Sequence, residues 1–285
     1  MSRTIGVMGA GLMASAIVRR LLGEGHAVSV WNRSAQKTVP LAAEGARAIT
    51  DAASFFDTAD VIIAALAGLE NVTALLDTVE PRLEGKDFIN LVTAGPGEVR
   101  ALGSRIEDLG AHYLSGVIIC YPSDILAGRG SIMIGGSSET WKRHGEIVLA
   151  LASGSTYVGA DPGKPGVIDS ALTGGVIFTA TTACLEAAQY AALDGMPLNE
   201  FRQFLSIYLK ALPREIDRVL DAVAARKFTS SDATLDTYAA SLVLFRDAFA
   251  KVGAPHSHLT ATLAQTQAAI AEGKGPLGLA ALAKA

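Results

Sequence analysis

Thr4-Ile5-Gly6-Val7-Met8, followed directly by Gly9-Ala10-Gly11-Leu12-Met13-Ala14, constrains the fold more than any other stretch of this 285-residue chain. The apolar, partly β-branched run reads as a buried strand, and Gly11 to Leu22 reads as a helix. A glycine turn joining a strand to a helix is the opening of a βαβ unit. Gly9 permits the sharp turn, and Gly11 lets a ligand approach the backbone. Ala14 takes the place of a third glycine where helix and strand touch. The start of the helix then offers free N–H groups and the positive end of its dipole, a setting for the pyrophosphate of a dinucleotide. Gly9, Ala10, Gly11, Leu12 and Met13 are therefore cofactor-binding candidates, against the plainer reading of a merely glycine-rich turn.

The same alternation continues along the first half of the chain. Ala27–Trp31, Asp60–Ala65, Asp87–Val92, His112–Ser115 and Gly130–Ile134 are further strand candidates separated by helical stretches. This spacing predicts an α/β fold with a mainly parallel sheet covered on both faces. The pattern changes after Asp161-Pro-Gly-Lys-Pro-Gly166. One long helix is expected from Val167 to about Leu193, stopped by Asp194-Gly195-Met196-Pro197. Beyond it the strands disappear. Helices are expected over Leu198–Leu212, ended by Pro213, then over Arg214–Ala225, Asp232–Val252 and His258–Ala271. The domains expected are residues 1–162 for the dinucleotide, 163–195 as an interdomain helix, and 196–285 as a helical domain.

Composition narrows the function classes. Lys and Arg number 24 against 28 Asp and Glu, for a net charge of -4, and no basic run exists to follow a phosphate backbone. A nucleic-acid partner is not expected. Half of the residues are hydrophobic and only 18% are charged, which raises the question of a membrane. The uncharged run from Ser170 to Leu185 falls short of the ~20 residues that span a bilayer, and threonines and glycines interrupt it. The N-terminus carries no signal-peptide pattern, so a cytoplasmic protein is expected. Cys120 and Cys184 stand far apart, and His256-Ser-His258 lacks a third ligand, so no metal site is expected.

The end of the second strand bears on which nucleotide is bound. NAD would want a carboxylate there for the ribose 2′-hydroxyl. The chain has Trp31-Asn32-Arg33-Ser34 instead, with Lys37 one turn on. Arg33 can fork onto a 2′-phosphate while stacking on adenine, and Ser34 can add a hydrogen bond. An ordinary solvated basic loop would read the same way. Asn32, Arg33, Ser34 and Lys37 are candidates for holding NADPH.

Taken together, Gly9-Ala-Gly-Leu-Met-Ala14, Asn32-Arg-Ser34, Asn90-Leu-Val-Thr-Ala-Gly-Pro96, Tyr113-Leu-Ser-Gly-Val-Ile-Ile-Cys-Tyr-Pro122 and Pro162-Gly-Lys-Pro-Gly-Val-Ile-Asp169 carry a resemblance over nearly the whole chain. The sequence resembles the β-hydroxyacid dehydrogenase superfamily and, within it, the NADPH-dependent imine reductases. The resemblance implies an N-terminal Rossmann domain, a long interdomain helix and an all-helical C-terminal domain that interlocks with a second subunit. It also implies an active site between one subunit's cofactor domain and the other's helical domain.

Two departures separate this chain from the hydroxyacid branch. Where those dehydrogenases carry a D-x-P-V-S-G-G-like segment for a substrate carboxylate, this chain reads Ser115-Gly-Val-Ile-Ile-Cys120-Tyr121. An apolar surface of that kind leaves a buried carboxylate unpaired, at a cost of several kcal/mol. Where they place a catalytic lysine, six residues after the glycine opening the interdomain turn, counting from Gly163 gives Asp169. The resemblance thus implies reduction of C=N bonds, with Asp169 as the catalytic residue addressing nitrogen. Asp169 would act either as a proton donor, which needs an apolar site to keep the acid neutral, or as an anion orienting an already protonated imine. A place in the first turn of the long helix would favour the anion through the dipole. A helix-stabilising acid with no chemical role is the bland reading. Imine reductases often have Asp where this chain has Ser115, which leaves the hydrogen bonding there open.

The remaining candidates follow from the same resemblance. Ala65, Leu66 and Thr93 would border the cofactor, although Thr93 could equally satisfy its own backbone. Tyr121, Pro122, Thr173, Tyr238 and Leu242 would line the substrate pocket. Tyr238, Leu242 and Phe245 also have the spacing of plain core packing. The alternatives kept open are a β-hydroxyacid dehydrogenase or aldehyde or ketone reductase of the same superfamily, and a non-catalytic NADP(H)-binding sensor. A long helix that is apolar on most sides must be covered on most sides, so a homodimer is expected.

Overall fold

The computed structural model describes residues 3–229 and 232–283. The chain divides into two units, Met1–Gly175 and Val176–Ala285, with the division inside the helical stretch 164–193.

The first unit is built on one eight-stranded sheet. Its strands are β1 (Ile5–Met8), β2 (Val28–Trp31), β3 (Arg47–Ile49), β4 (Val61–Ala64), β5 (Asp87–Asn90), β6 (His112–Ile119), β7 (Ser131–Gly136) and β8 (Thr156–Gly159). Their order is β3-β2-β1-β4-β5-β6-β7-β8. The first six in that order run parallel, and β7 returns antiparallel to β6. β1, β2, β4 and β5 are buried along their whole length. Helices on both faces force this, so successive side chains enter two different cores. Ile5, Val7, Val28, Val30, Val61 and Ile63 pack with Ile17 and Leu21 of the first helix. Met8, Trp31, Ile62, Ala64 and Phe88 meet Phe55 and Phe56 on the other side. Chain order reverses between β1 and β4, which opens a crevice at the carboxyl ends of these strands.

The strand expected over His112–Ser115 continues to Ile119, because its second half pairs with Ser131–Gly136.

The second unit is helical: Thr179–Leu193, Leu198–Ala224, Leu235–Lys251 and Ser257–Ala269, with short π and 3-10 turns after them. Leu235, Ala269 and Ala281 form a small core with Phe228, Ile270 and Leu277, and Tyr190 stacks on Phe249 with ring centroids 4.1 Å apart. The expected break at Pro213 does not occur, since Leu198–Ala224 is one helix with Pro213 inside it. A proline there costs about 3 kcal/mol by removing one hydrogen bond and crowding the carbonyl four residues back. Pro213 and its neighbours on this helix are exposed, so water can take the released carbonyl.

The long helix also differs in detail. It begins at Lys164 rather than Val167, and Ser170–Phe178 within it is wound as a π-helix. Leu172, Ile177, Phe178 and Leu185 lie more than half exposed in the single chain. By length and composition alone, Lys164–Leu193 would also cross a membrane. Asp169 and Glu186 bracket its apolar stretch. Glu186 accepts hydrogen bonds at 3.2 Å from the backbone N–H groups of both Ser257 and His258, tying the helix to its neighbour in the second unit.

Candidate active site

Three strand ends converge at the crevice. Gly9 N–H donates to the Trp31 carbonyl at 2.8 Å, and Ala65 N–H donates to the Met8 carbonyl at 2.9 Å, which draws the turns after β1, β2 and β4 together. Gly9 sits at φ 127°, and a Cβ there would fall 2.5 Å from the Ala65 carbonyl oxygen. Glycine is required at this position twice over, by backbone conformation and by space. Gly11 is different. A Cβ on it would meet nothing within 4 Å of the protein, so it would project into open space. Gly11 is also the N-cap of the helix Leu12–Gly23, and no side chain caps that end. The first N–H groups of the helix are thus left for a ligand. Ala14 is fully buried against the strand, in the space a third glycine would leave.

The cleft formed here has a volume of about 620 Å³. Gly9, Ala10, Gly11, Leu12 and Met13 form one side. Asn32, Arg33, Ser34 and Lys37 form a second, and Ala65 and Leu66 lie between them. Asn32 Nδ2 donates to the Ser34 carbonyl at 3.0 Å and so shapes the turn, while Arg33, Ser34 and Lys37 stay exposed. None of these three enters an ion pair among the described residues, and no carboxylate lines this edge. A doubly charged 2′-phosphate therefore fits the edge, and the uncapped helix end with the open space at Gly11 fits a pyrophosphate. The far wall escaped the sequence reading. It consists of Ala67, Asn71, Ala74, Leu75 and Thr78, four of them on the helix Leu69–Val79. Their signal in the sequence is a helical face of small and weakly polar residues following the turn after β4.

Other candidates lie outside this lining. Thr93 is exposed on the loop after β5, whose turn is held by buried Asn90 accepting from Val92 N–H at 3.2 Å. Tyr121 is 77% exposed at the end of β6, and its N–H donates to Asp124 at 3.1 Å, with Pro122 opening a short helix. Tyr238 and Leu242 are half-buried one turn apart on the helix Leu235–Lys251 of the second unit.

Asp169 is half-buried but not in the first helical turn, since the helix already starts at Lys164. The helix dipole therefore gives its anion little support, because that field fades within one turn. The acid at the helix start is Asp161. It receives Arg100 through two hydrogen bonds of 2.8 and 2.7 Å and Gly163 N–H at 2.9 Å. The Arg100 guanidinium, helped by Gly163, brings the Asp161 carboxyl down to about 2. Thr173 lies half-buried within the π-helical segment.

Residues 4–159 match the NAD binding domain of 6-phosphogluconate dehydrogenase, and residues 161–285 match the C-terminal domain of the NADPH-dependent reductive aminase-like type. An NADPH-dependent reductive aminase of Aspergillus oryzae is 28% identical over 226 residues, covering 76% of this chain and 77% of that one. The structure of an imine reductase from Pseudomonas sp. superposes with a TM-score of 0.89 at 28% identity, over 99% of this chain and 98% of the other. A reductive aminase from Aspergillus terreus, in complex with NADPH and ethyl-5-oxohexanoate, matches in fold with a TM-score of 0.87 at 24% identity, over 99% and 98% of the two chains.

Proposed function

Since the chain belongs to the family that joins a 6-phosphogluconate dehydrogenase-type NAD-binding domain to a reductive aminase-like C-terminal domain, we propose that it is an NADPH-dependent reductase of C=N bonds. The observation that carries the cofactor is the acid-free, cationic edge made by Arg33, Ser34 and Lys37 beside an uncapped helix end. The reaction is carried by Asp169, an acid where the hydroxyacid branch would have lysine, together with relatives named for imine reduction and reductive amination.

Each residue has a defined task in this reading. The backbone at Gly9, Ala10 and Gly11, with the N–H groups of the first helix, holds the pyrophosphate. Arg33 forks onto the 2′-phosphate, and Ser34 and Lys37 add a hydrogen bond and a charge. Ala65 and Leu66 border the middle of the cofactor, and Thr93 donates to its carboxamide. NADPH supplies the hydride that reaches the imine carbon. Asp169 holds the nitrogen, accepting the N–H of an already protonated imine and orienting it. Tyr121, Pro122 and Thr173 face the substrate from the first unit, and Tyr238 and Leu242 on the second unit remain candidates for the substrate pocket.

The apolar side chains exposed on Lys164–Leu193 are covered by a second copy of the chain rather than by lipid, which makes the protein a soluble, cytoplasmic homodimer. Sedimentation at micromolar concentration is expected to give the dimer, and a stable monomer would refute this part. The test of function is oxidation of NADPH on adding cyclic imines and, separately, β-hydroxyacids or aldehydes. Turnover of imines alone is expected. Turnover of hydroxyacids alone, or NADPH binding with no turnover of any compound, would overturn the proposal.

A further inference from the structure

A second cleft, of about 500 Å³, lies at the amino ends of the strands, on the edge of the sheet opposite the dinucleotide cleft. Arg3, Ile5, His26, Arg143, His144 and Ile147 line it. Three of these residues, Arg3, Arg143 and His144, meet on Asp87, the first residue of β5 and only 3% exposed. Asp87 accepts from His144 Nε2 at 2.6 Å, from Arg143 at 2.7 Å and from Arg3 at 3.3 Å. Burial by itself would raise the Asp87 carboxyl, but the hydrogen bonds from His144 and Arg143 outweigh it and hold the group below its ordinary value. Asp87 is thus an anion whose oxygens are already engaged.

Its single negative charge faces two guanidinium groups. Arg3 reaches Asp87 through Nη1 and Arg143 through Nη2, so each keeps further N–H groups turned elsewhere. Among the described residues no carboxylate is in the lining of the cleft. Asp60, near the start of β4, is engaged by the N–H of Thr4 at 2.9 Å and does not line it. A local surplus of positive charge therefore stands in a chain whose net charge is -4. Arg3 Nη1 and His144 Nε2 lie 3.0 Å apart because both approach the same oxygen, Oδ2 of Asp87, so one carboxylate oxygen serves an arginine and a histidine at once.

We propose that this cleft is a phosphate-binding site, separate from the dinucleotide site, with Arg3, Arg143 and His26 as donors. Two guanidinium groups and an imidazole approaching from different elements suit an acceptor with several oxygens and two charges, better than they suit a planar carboxylate. The phosphate is either free or the monoester end of a metabolite.

The test is calorimetric titration of the full chain, saturated with NADPH to fill the first cleft, using inorganic phosphate and, separately, glycerol phosphate. Saturable binding of one anion per chain at millimolar concentration is expected. Arg3→Ala and His26→Ala each leave Arg143 and His144 on Asp87, and each is expected to weaken binding roughly tenfold through loss of one charge-assisted donor. Tighter binding of the ester identifies a metabolite as the source, and equal binding identifies the free anion. Absence of saturable binding at millimolar phosphate would overturn the proposal. So would equal affinities in wild type, Arg3→Ala and His26→Ala when all three melt at similar temperatures.

Discussion

Arg100 and Asp161 are joined by two parallel hydrogen bonds of 2.8 and 2.7 Å, immediately before the long helix begins. The guanidinium also lies over Gly163, so that a Cβ there would come within 2.6 Å of it. The pair fixes how the chain leaves β8 and enters the helix that carries Asp169.

The Asp161 carboxyl, brought down to about 2, gives a pH signature. A depressed folded-state value means that the contribution is complete above the unfolded value near 3.8 and is lost as pH falls toward 2. Both partners are nearly half exposed, so solvent screening limits the loss in Asp161→Asn to under ~1 kcal/mol at pH 7. Melting curves from pH 7 to pH 2 should show wild type and variant converging at the acid end. A constant difference across that range would mean that Asp161 acts by packing and not by charge.

Arg33→Ala should raise the KM for NADPH by roughly 10- to 100-fold, the equivalent of one lost charged hydrogen bond to phosphate. The KM for NADH should hardly move, because that cofactor offers the arginine no 2′-phosphate. Initial-rate measurements with both cofactors decide the matter, and an equal loss for both would remove Arg33 from the recognition of the 2′-phosphate.

Gly9→Ala and Gly11→Ala should fail for different reasons. At Gly9 the new Cβ meets the Ala65 carbonyl at 2.5 Å in a left-handed backbone, so a loss of stability of about 1–3 kcal/mol is expected. At Gly11 the Cβ meets no protein atom within 4 Å, so the melting temperature should be kept while NADPH affinity drops. Unchanged affinity in Gly11→Ala would place the pyrophosphate elsewhere.

Asp169→Asn and Asp169→Ala should both lose turnover of imines, by roughly 10²-fold or more if positioning and charge are both removed. An orienting anion predicts that KM rises most for substrates that are already cationic. Loss confined to high pH would assign Asp169 a proton-donor role instead, and full activity in both variants would exclude it from the chemistry.

Parts of this arrangement were legible because they are local. The strand, the glycine turn and the uncapped helix follow one another from Ile5 to Gly23, and each is dictated by residues a few positions apart. β3 was not visible, since Arg47-Ala48-Ile49 is short and two of its three residues are exposed at the sheet edge. The wall Asn71–Thr78 was missed for another reason. Its residues acquire a role only when β4 delivers their helix to the crevice, and a helical face of small and weakly polar residues is a faint signal before that placement is known. At Pro213 the local signal for a break is overridden, because the helix-forming residues on both sides of it continue one helix from Leu198 to Ala224.

The cradle at Gly9–Gly11 is made of main chain and empty space, whereas the edge at Arg33–Lys37 is made of side chains. In the proposed reading, anchoring and choice therefore fall to different atoms. The first would hold what every dinucleotide has in common, and the second would read the one group by which two dinucleotides differ, from a single exposed turn. Cofactor preference is then expected to be open to redesign from one short loop, with the sheet and its crevice left as they are.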